Sequence, residues 1–277
     1  MSAFVRIRQH RPSEKVRGEL TADPRYAALR AEAGQLATLV GNGELLKRDP
    51  THSVLVVVVT PDTPRLLCKF FPEQSFGDRL RQYWGLDRPA RIHRRLKQVA
   101  AMDLPIPPSL GYVSVEGVGA AWFCPMLPGT GLLHWAGDSL PDTAEQRTAL
   151  LYPVLDTMGK LHAAGFVHGD FKWGNVLLDG DSCWLVDVDG LRTVRPDGFC
   201  RGKARDLARF LLDCEEAGVP AVEVNALLCR YAELTAHSIA AVKARVGPIH
   251  ARLKERHRRR YGEGYRLTLH GPNDSSS

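Results

Sequence analysis

The segment Pro128-Gly129-Thr130-Gly131 divides the chain into two unlike parts. Proline lacks a backbone donor and glycine tolerates turn conformations, so neither a helix nor a central strand runs through such a segment. Ahead of it lie short apolar runs bounded by turn residues; behind it lie long stretches whose apolar residues recur with helical spacing. Strands followed by helices is the order of an α+β protein. The expected architecture is two-lobed, with a small antiparallel-sheet lobe over residues 1–128 and a mainly helical lobe over residues 129–277.

In the first part, Asp23-Pro24 reads as a helix start, with Ala27, Leu29, Ala33, Leu36 and Leu39 on one face and Gly41-Asn42-Gly43 as the stop. Residues 53–60 and 65–71 read as an antiparallel strand pair around Pro61-Asp62-Thr63-Pro64. A basic helix over 89–102 is stopped by Leu104-Pro105-Ile106-Pro107-Pro108, and strands over 110–115 and 120–127 follow. In the second part, Thr143 and Gln146 form a capping box for a helix reaching residue 164, which Pro153 kinks or restarts. Short strands over 176–178 and 184–187 precede helices over 204–217, 222–241 and 248–261, and residues 273–277 read as a frayed tail.

Composition excludes several classes. With 44% hydrophobic and 25% charged residues the chain has the makeup of a globular protein, not of a disordered or fibrous one. Its 37 basic residues exceed its 31 acidic ones by six, and much of the excess sits at the ends, in Arg6, Arg8, Arg11, Lys15 and Arg17 and again over 252–266. These ends are either solvated or drawn to an anionic partner; no aromatic residues alternate with them, which argues against nucleic acid. The six cysteines form no C-x-x-C pair and read as apolar residues of a reducing compartment. The longest aliphatic run, residues 54–59, falls far short of the roughly 20 residues that span a bilayer. The N-terminus has charges where a signal peptide has an apolar core. A cytoplasmic protein, at most peripheral to a membrane, is expected.

The chemistry concentrates in His168-Gly169-Asp170-Phe171-Lys172-Trp173-Gly174-Asn175, followed by Val176-Leu177-Leu178 and by Leu185-Val186-Asp187-Val188-Asp189-Gly190. A polar loop between apolar strand residues presents its carboxylates and amide at one edge of a scaffold. Separately, Lys69 lies within Leu66-Leu67-Cys68-Lys69-Phe70-Phe71, where a lysine is costly unless it meets an anion.

The order H-x-D-x-K-x-x-N, then two apolar residues and Asp, resembles the catalytic loop and metal-binding turn of kinases. The resemblance implies a two-lobed protein-kinase-like fold, with ATP and Mg2+ as cofactors. It makes Asp170 the group that orients the attacking hydroxyl and accepts its proton, and Lys172 the cation that neutralises the moving phosphoryl group. Asn175 and Asp187 become the metal ligands, and His168 a brace for the loop. It assigns Lys69 to the nucleotide α and β phosphates, the strand through Trp122-Phe123-Cys124-Pro125-Met126 to adenine, with backbone contacts at Cys124 and Met126, and Leu177 to the pocket floor.

Two features depart from that pattern. The stretch expected to cover the phosphates, Arg48-Asp49-Pro50-Thr51-His52-Ser53, has no glycine, which leaves the backbone donors of Thr51, His52 and Ser53 for the task. The helix expected to supply a glutamate partner for Lys69 has no acid over 88–97, leaving Glu73, Asp78 or Asp87 as replacements.

Asp206 follows Asp187 by only 19 positions without an Ala-Pro-Glu tripeptide, so no platform for a peptide substrate is expected. Together with Lys203-Ala204-Arg205-Asp206-Leu207-Ala208-Arg209-Phe210 and Leu104-Pro105-Ile106-Pro107, the catalytic stretches are similar to the bacterial lipopolysaccharide core kinases, the Kdo and heptose kinase family. That resemblance makes Asp206 a brace beneath the loop. It implies transfer to a sugar hydroxyl of a lipid-linked core oligosaccharide, with the basic ends near the anionic inner-membrane surface. Two other readings stand beside it. One is a kinase of a soluble alcohol such as an aminoglycoside or choline, toward which Glu215-Glu216 hints; the other is a nucleotide-binding scaffold without turnover.

Overall fold

A computed structural model describes residues 3–11, 14–102, 104–180 and 182–268; the tail expected over 273–277 lies outside them. The chain is α+β and divides into two units, one of residues 1–103 and 107–127, the other of residues 104–106 and 128–277.

The first unit is built on a seven-stranded sheet. In chain order its strands are β1 (Phe4–Arg11), β2 (Glu14–Thr21), β3 (Glu44–Asp49), β4 (His52–Val57), β5 (Leu66–Pro72), β6 (Gly111–Val115) and β7 (Gly119–Pro125). They run in the order β1-β2-β6-β7-β5-β4-β3, every neighbour antiparallel. The segment opened by Asp23, whose side chain accepts from the Arg25 N–H, breaks into short helices that include α1 (Ala27–Ala31) and α2 (Leu36–Gly41). Leu29, Leu36 and Leu39 pack with Val16, Leu20, Leu55, Val113 and Phe123 in a core on one face of the sheet. α3 (Phe76–Tyr83) follows β5, and α4 (Arg88–Val99) buries Ile92, Leu96 and Val99 as it packs against β5, β6 and β7.

β1 and β2 place the basic N-terminal residues on a strand pair. Their alternating charges hide a strand pair whose inward residues, Ile7, Val16 and Leu20, belong to the core. Arg17 lies over the Tyr83 ring at 4.0 Å and donates to the Tyr83 carbonyl at 2.6 Å, while Lys15 stands 3.7 Å from Glu116.

The second unit is mainly helical: α5 (Ala144–Ala163), α6 (Arg201–Ala217), α7 (Ala221–Leu234) and α8 (Ile239–Tyr261). α5 opens on the expected cap, with the Thr143 hydroxyl accepting from the Gln146 N–H, and its buried stripe of Leu151, Val154, Leu155, Met158 and Leu161 continues through Pro153. Pro248 likewise lies inside α8 instead of opening it; the start is Ser238, whose hydroxyl accepts from the Ala241 N–H. Short strands thread between these helices: β8 (Thr130–Gly131), β9 (Phe166–Val167), β10 (Val176–Asp179), β11 (Ser182–Leu185) and β12 (Arg192–Thr193). β10 pairs with β11 and β8, and β12 with β9. All six cysteines are free thiols; four are buried, and Cys200 and Cys229 are half-buried. Among the described residues no helix is long and apolar enough to cross a membrane.

Candidate active site

The loop 168–175 joins β9 to β10 and is held from below by α6. Asp206, fully buried, accepts the backbone N–H groups of His168 at 2.7 Å and Gly169 at 2.9 Å. Seven residues on, the buried Asp213 accepts the Trp173 N–H at 2.8 Å. Seven residues are close to two helical turns, so both carboxylates leave α6 on the face that meets the loop. In the sequence Asp213 is marked only by its place at the end of the largely apolar run Leu207-Ala208-Arg209-Phe210-Leu211-Leu212, seven residues after Asp206.

A buried chain of polar groups backs this anchor. His162 Nε2 lies 3.4 Å from the Asp206 carboxylate, and its Nδ1 lies 2.6 Å from the Tyr231 hydroxyl. Burial lowers the His162 pKa despite the neighbouring Asp206, so the neutral ring donates to Asp206 and accepts from Tyr231. Burial also raises Asp213 to about 6, against the lowering effects of Arg209 and the Trp173 N–H.

Two glycines set the approach of the loop to the turn after β11. Gly169 has φ +87°, and a Cβ there would lie 2.7 Å from the Gly190 carbonyl oxygen; a Cβ on Gly190 would lie 2.7 Å from the His168 carbonyl oxygen. His168 Nε2 donates to the Val186 carbonyl at 2.9 Å, and the Val186 N–H donates to the Asn175 carbonyl, also at 2.9 Å. Asp187 therefore begins its turn one residue beyond a backbone tied to Asn175. It adopts the left-handed conformation, φ 57° and ψ 51°, which costs a non-glycine residue on the order of 1 kcal/mol.

Asp170, Lys172 and Asn175 come together directly. Lys172 Nζ is 3.0 Å from Asp170 Oδ2, and Asn175 Nδ2 donates to the Asp170 carbonyl at 2.9 Å and to its Oδ2 at 3.3 Å. Both contacts fall on one carboxylate oxygen, which leaves Oδ1 of this exposed side chain open to a donor. Because Asn175 spends its amide nitrogen on Asp170, its Oδ1 remains an acceptor. A neutral oxygen from Asn175 and a carboxylate from Asp187 fit a hard divalent cation such as Mg2+, which takes one or two protein ligands and fills its shell with water and phosphate. Such a pair forms no cluster of three His, Cys, Asp or Glu side chains, and none that could hold a metal occurs among the described residues. Leu177, expected on a pocket floor, lies half-buried on β10 opposite Trp184 and Gly131.

In the first unit, Lys69 is only 4% exposed on β5, paired across the sheet with Val54 and Trp122. The three acids considered as its partner are engaged elsewhere. Glu73 meets Arg79 at 2.9 Å and the Gly117 N–H at 3.1 Å, and Asp78 meets Ser75 and Arg81. Asp87 caps α4 through the Ala90 N–H and accepts from the Ser114 hydroxyl. An acid overlooked in the sequence, Asp49, feels Lys69: its pKa is lowered mainly by a hydrogen bond from Lys47, with further contributions from His52 and Lys69. The stretch expected to act as a covering loop is a tight hairpin, in which Pro50-Thr51 link Asp49 of β3 to His52 of β4. Thr51 Oγ1 is 3.2 Å from His52 Nδ1, the His52 ring stacks on Phe71, and Ser53 pairs with Phe70. Cys124 is buried in the β5–β7 ladder opposite Leu67, and the Met126 N–H is taken by the Arg65 carbonyl at 3.1 Å. Met126 thus has its carbonyl, and not its N–H, to offer a ligand.

α8 sorts the arginines of the basic C-terminal segment into two sets. Arg258 pairs with Glu255 and Glu263, and Arg259 with Glu255, so their charges are met by carboxylates. Arg256 and Arg260 instead line a cavity beside the loop 168–175. Glu215 meets Lys254 at 2.8 Å and Glu216 meets His257 at 2.8 Å, so the two acids that hinted at a cationic acceptor are consumed by α8. No protein-family model matches the chain, and comparison with curated proteins returns no match.

Proposed function

We propose that the chain is an ATP- and Mg2+-dependent phosphotransferase of protein-kinase-like fold, acting on a sugar hydroxyl, of heptose or Kdo, in the lipopolysaccharide inner core. The carrying observation is the Asp170 carboxylate, held through Oδ2 by Lys172 and Asn175 with Oδ1 open, next to a turn that presents Asp187. In this reading the acceptor hydroxyl donates its hydrogen bond to Asp170 Oδ1. Its oxygen forms a bond to the γ phosphorus as the bond to the β,γ-bridging oxygen breaks; the proton passes to Asp170, and ADP leaves with the electron pair of the broken bond. Lys172 neutralises charge on the transferred group and keeps Asp170 oriented. Asn175 Oδ1 and the Asp187 carboxylate would hold Mg2+, which supplies charge neutralisation on the nucleotide phosphates. Lys69 holds the α and β phosphates, with Thr51 at the tip of the β3–β4 hairpin offering its backbone donor, since His52 and Ser53 are paired within the sheet, and Cys124, Met126 and Leu177 bordering adenine. The work is done at the cytoplasmic face of the inner membrane, where the acceptor is lipid-linked.

The test is direct. Purified protein, Mg2+-ATP and delipidated core oligosaccharide should yield a product heavier by one phosphate in mass spectrometry, and oligosaccharide from cells lacking the gene should be lighter by one. Transfer to choline or an aminoglycoside and not to the oligosaccharide would replace the substrate. ATP binding with no turnover on any acceptor would leave a nucleotide-binding scaffold.

A further inference from the structure

The cavity between α6, α8 and the catalytic loop has a volume of about 320 Å³ and opens beside Asp170. Arg205 and Arg209 reach it from α6, Arg256 and Arg260 from α8, and Lys172 from the loop. Each arginine pair is spaced four residues apart, so each helix turns one face of two guanidinium groups toward the same space. Five cations line it against two carboxylates, Asp170 and Asp206, and Asp206 is committed to the loop backbone. Arg209 is tied back by Asp213 and donates to His257 Nε2. His257, accepting there, is neutral and donates from Nδ1 to Glu216 at 2.8 Å. Among the described residues Arg205, Arg256 and Arg260 have no acidic partner, unlike Arg258 and Arg259 of α8. Converging like charges are unfavourable unless an anion joins them, and guanidinium groups match the oxygens of phosphate and carboxylate in paired hydrogen bonds.

We propose that this cavity is an oxyanion subsite for the acceptor: Arg205, Arg256 and Arg260 bind a phosphate or carboxylate group carried by the acceptor molecule and so bring its reacting hydroxyl to Asp170. The proposal rests on the phosphotransferase reading and adds the acceptor's charge to it. The pocket selects an acidic acceptor and rejects a cationic one such as choline, because five positive side chains face it. The C-terminal arginines then act inside the protein's own substrate cleft, and attraction to a lipid surface is not their task.

Two measurements on the full-length protein test this. With Mg2+ and a non-hydrolysable ATP analogue saturating, titrated inorganic phosphate should bind the wild type, and R256A/R260A should weaken it at least five-fold. R205A should weaken it about as much, and R258A/R259A should leave it within two-fold. In transfer assays R256A/R260A should raise the KM for delipidated core oligosaccharide at least ten-fold, with the KM for ATP within two-fold. The same variant should lose its remaining preference between the native oligosaccharide and one whose carboxyl and phosphate groups have been esterified or removed. No phosphate binding by the wild type, or unchanged binding by R256A/R260A, overturns the subsite. An unchanged oligosaccharide KM combined with lost binding to phosphatidylglycerol vesicles overturns it in favour of a lipid headgroup. Phosphate binding that depends on Arg256 and Arg260, with no turnover on any acceptor, sustains the anion site and overturns only the phosphotransferase reading.

Discussion

Asp206 and Asp213, seven residues apart on α6, hold the two ends of the loop 168–175 by its backbone: Asp206 at His168 and Gly169, Asp213 at Trp173. One helix thereby fixes where Asp170 and Lys172 stand. Asp206→Ala strands the buried N–H of His168 and the half-buried N–H of Gly169, a loss on the order of 3 kcal/mol. Urea unfolding should show it as a lowered midpoint, with transfer falling in the fraction that remains folded. Asp206→Asn, which keeps one acceptor, should retain more of both.

In the proposed reaction Asp170 acts on the proton of the acceptor, so its contribution belongs to the transition state. Asp170→Asn should lower kcat by roughly 10²- to 10⁴-fold while nucleotide affinity stays near wild type. Asp187→Ala should weaken Mg2+-nucleotide binding as well as turnover. A rate for Asp170→Asn within a few-fold of wild type would remove Asp170 from the chemistry; calorimetric titration with Mg2+-ATP separates the two variants.

Lys69 buries a long aliphatic stem between Val54 and Trp122, and methionine nearly reproduces that stem without the charge. Lys69→Met should therefore fold with a Tm close to wild type while raising the nucleotide KM and lowering kcat. A variant that kept full transfer would return Lys69 to a packing role.

Burial raises Asp213 to about 6 from an ordinary value of 3.8. The native state then holds this proton where the unfolded chain has released it, so this group's contribution favours the native state below about pH 4. That contribution is lost as pH rises toward 6 and stays lost above it. Asp213→Asn keeps an acceptor for Trp173 and removes the titration. The stability difference, variant minus wild type, should grow in the variant's favour across pH 4–6 by an amount of order 2 kcal/mol and level off above. A flat difference would show that Asp213 titrates normally.

The second unit's candidate site was legible in the sequence because the loop's residues are contiguous: His168, Asp170, Lys172 and Asn175 lie within eight positions, and Asp187 follows after β10 and β11. Local punctuation also located the helix starts at Asp23 and Thr143. Illegible were the features that depend on distant partners. β1 and β2 carry so many charges that their inward Ile7, Val16 and Leu20 gave too thin a strand signal, and only pairing with β6 completes them. Pro248 read as a helix start because a proline at the first turn and one inside a long helix look alike without the neighbouring turn. The arginines of α8 read as one cluster, although helical spacing sends Arg256 and Arg260 one way and Arg258 and Arg259 another.

Gly169 and Gly190 form a lock with no second key. Each excludes a side chain because of the backbone of the facing segment, loop or turn, not because of a side chain that could shrink in exchange. An enlargement at either position therefore has no compensating partner substitution. As the sequence drifts, the helices can repack and the surface charges can turn over. The spacing between the carboxylates of Asp170 and Asp187 is carried instead by two residues that have almost nothing left to lose.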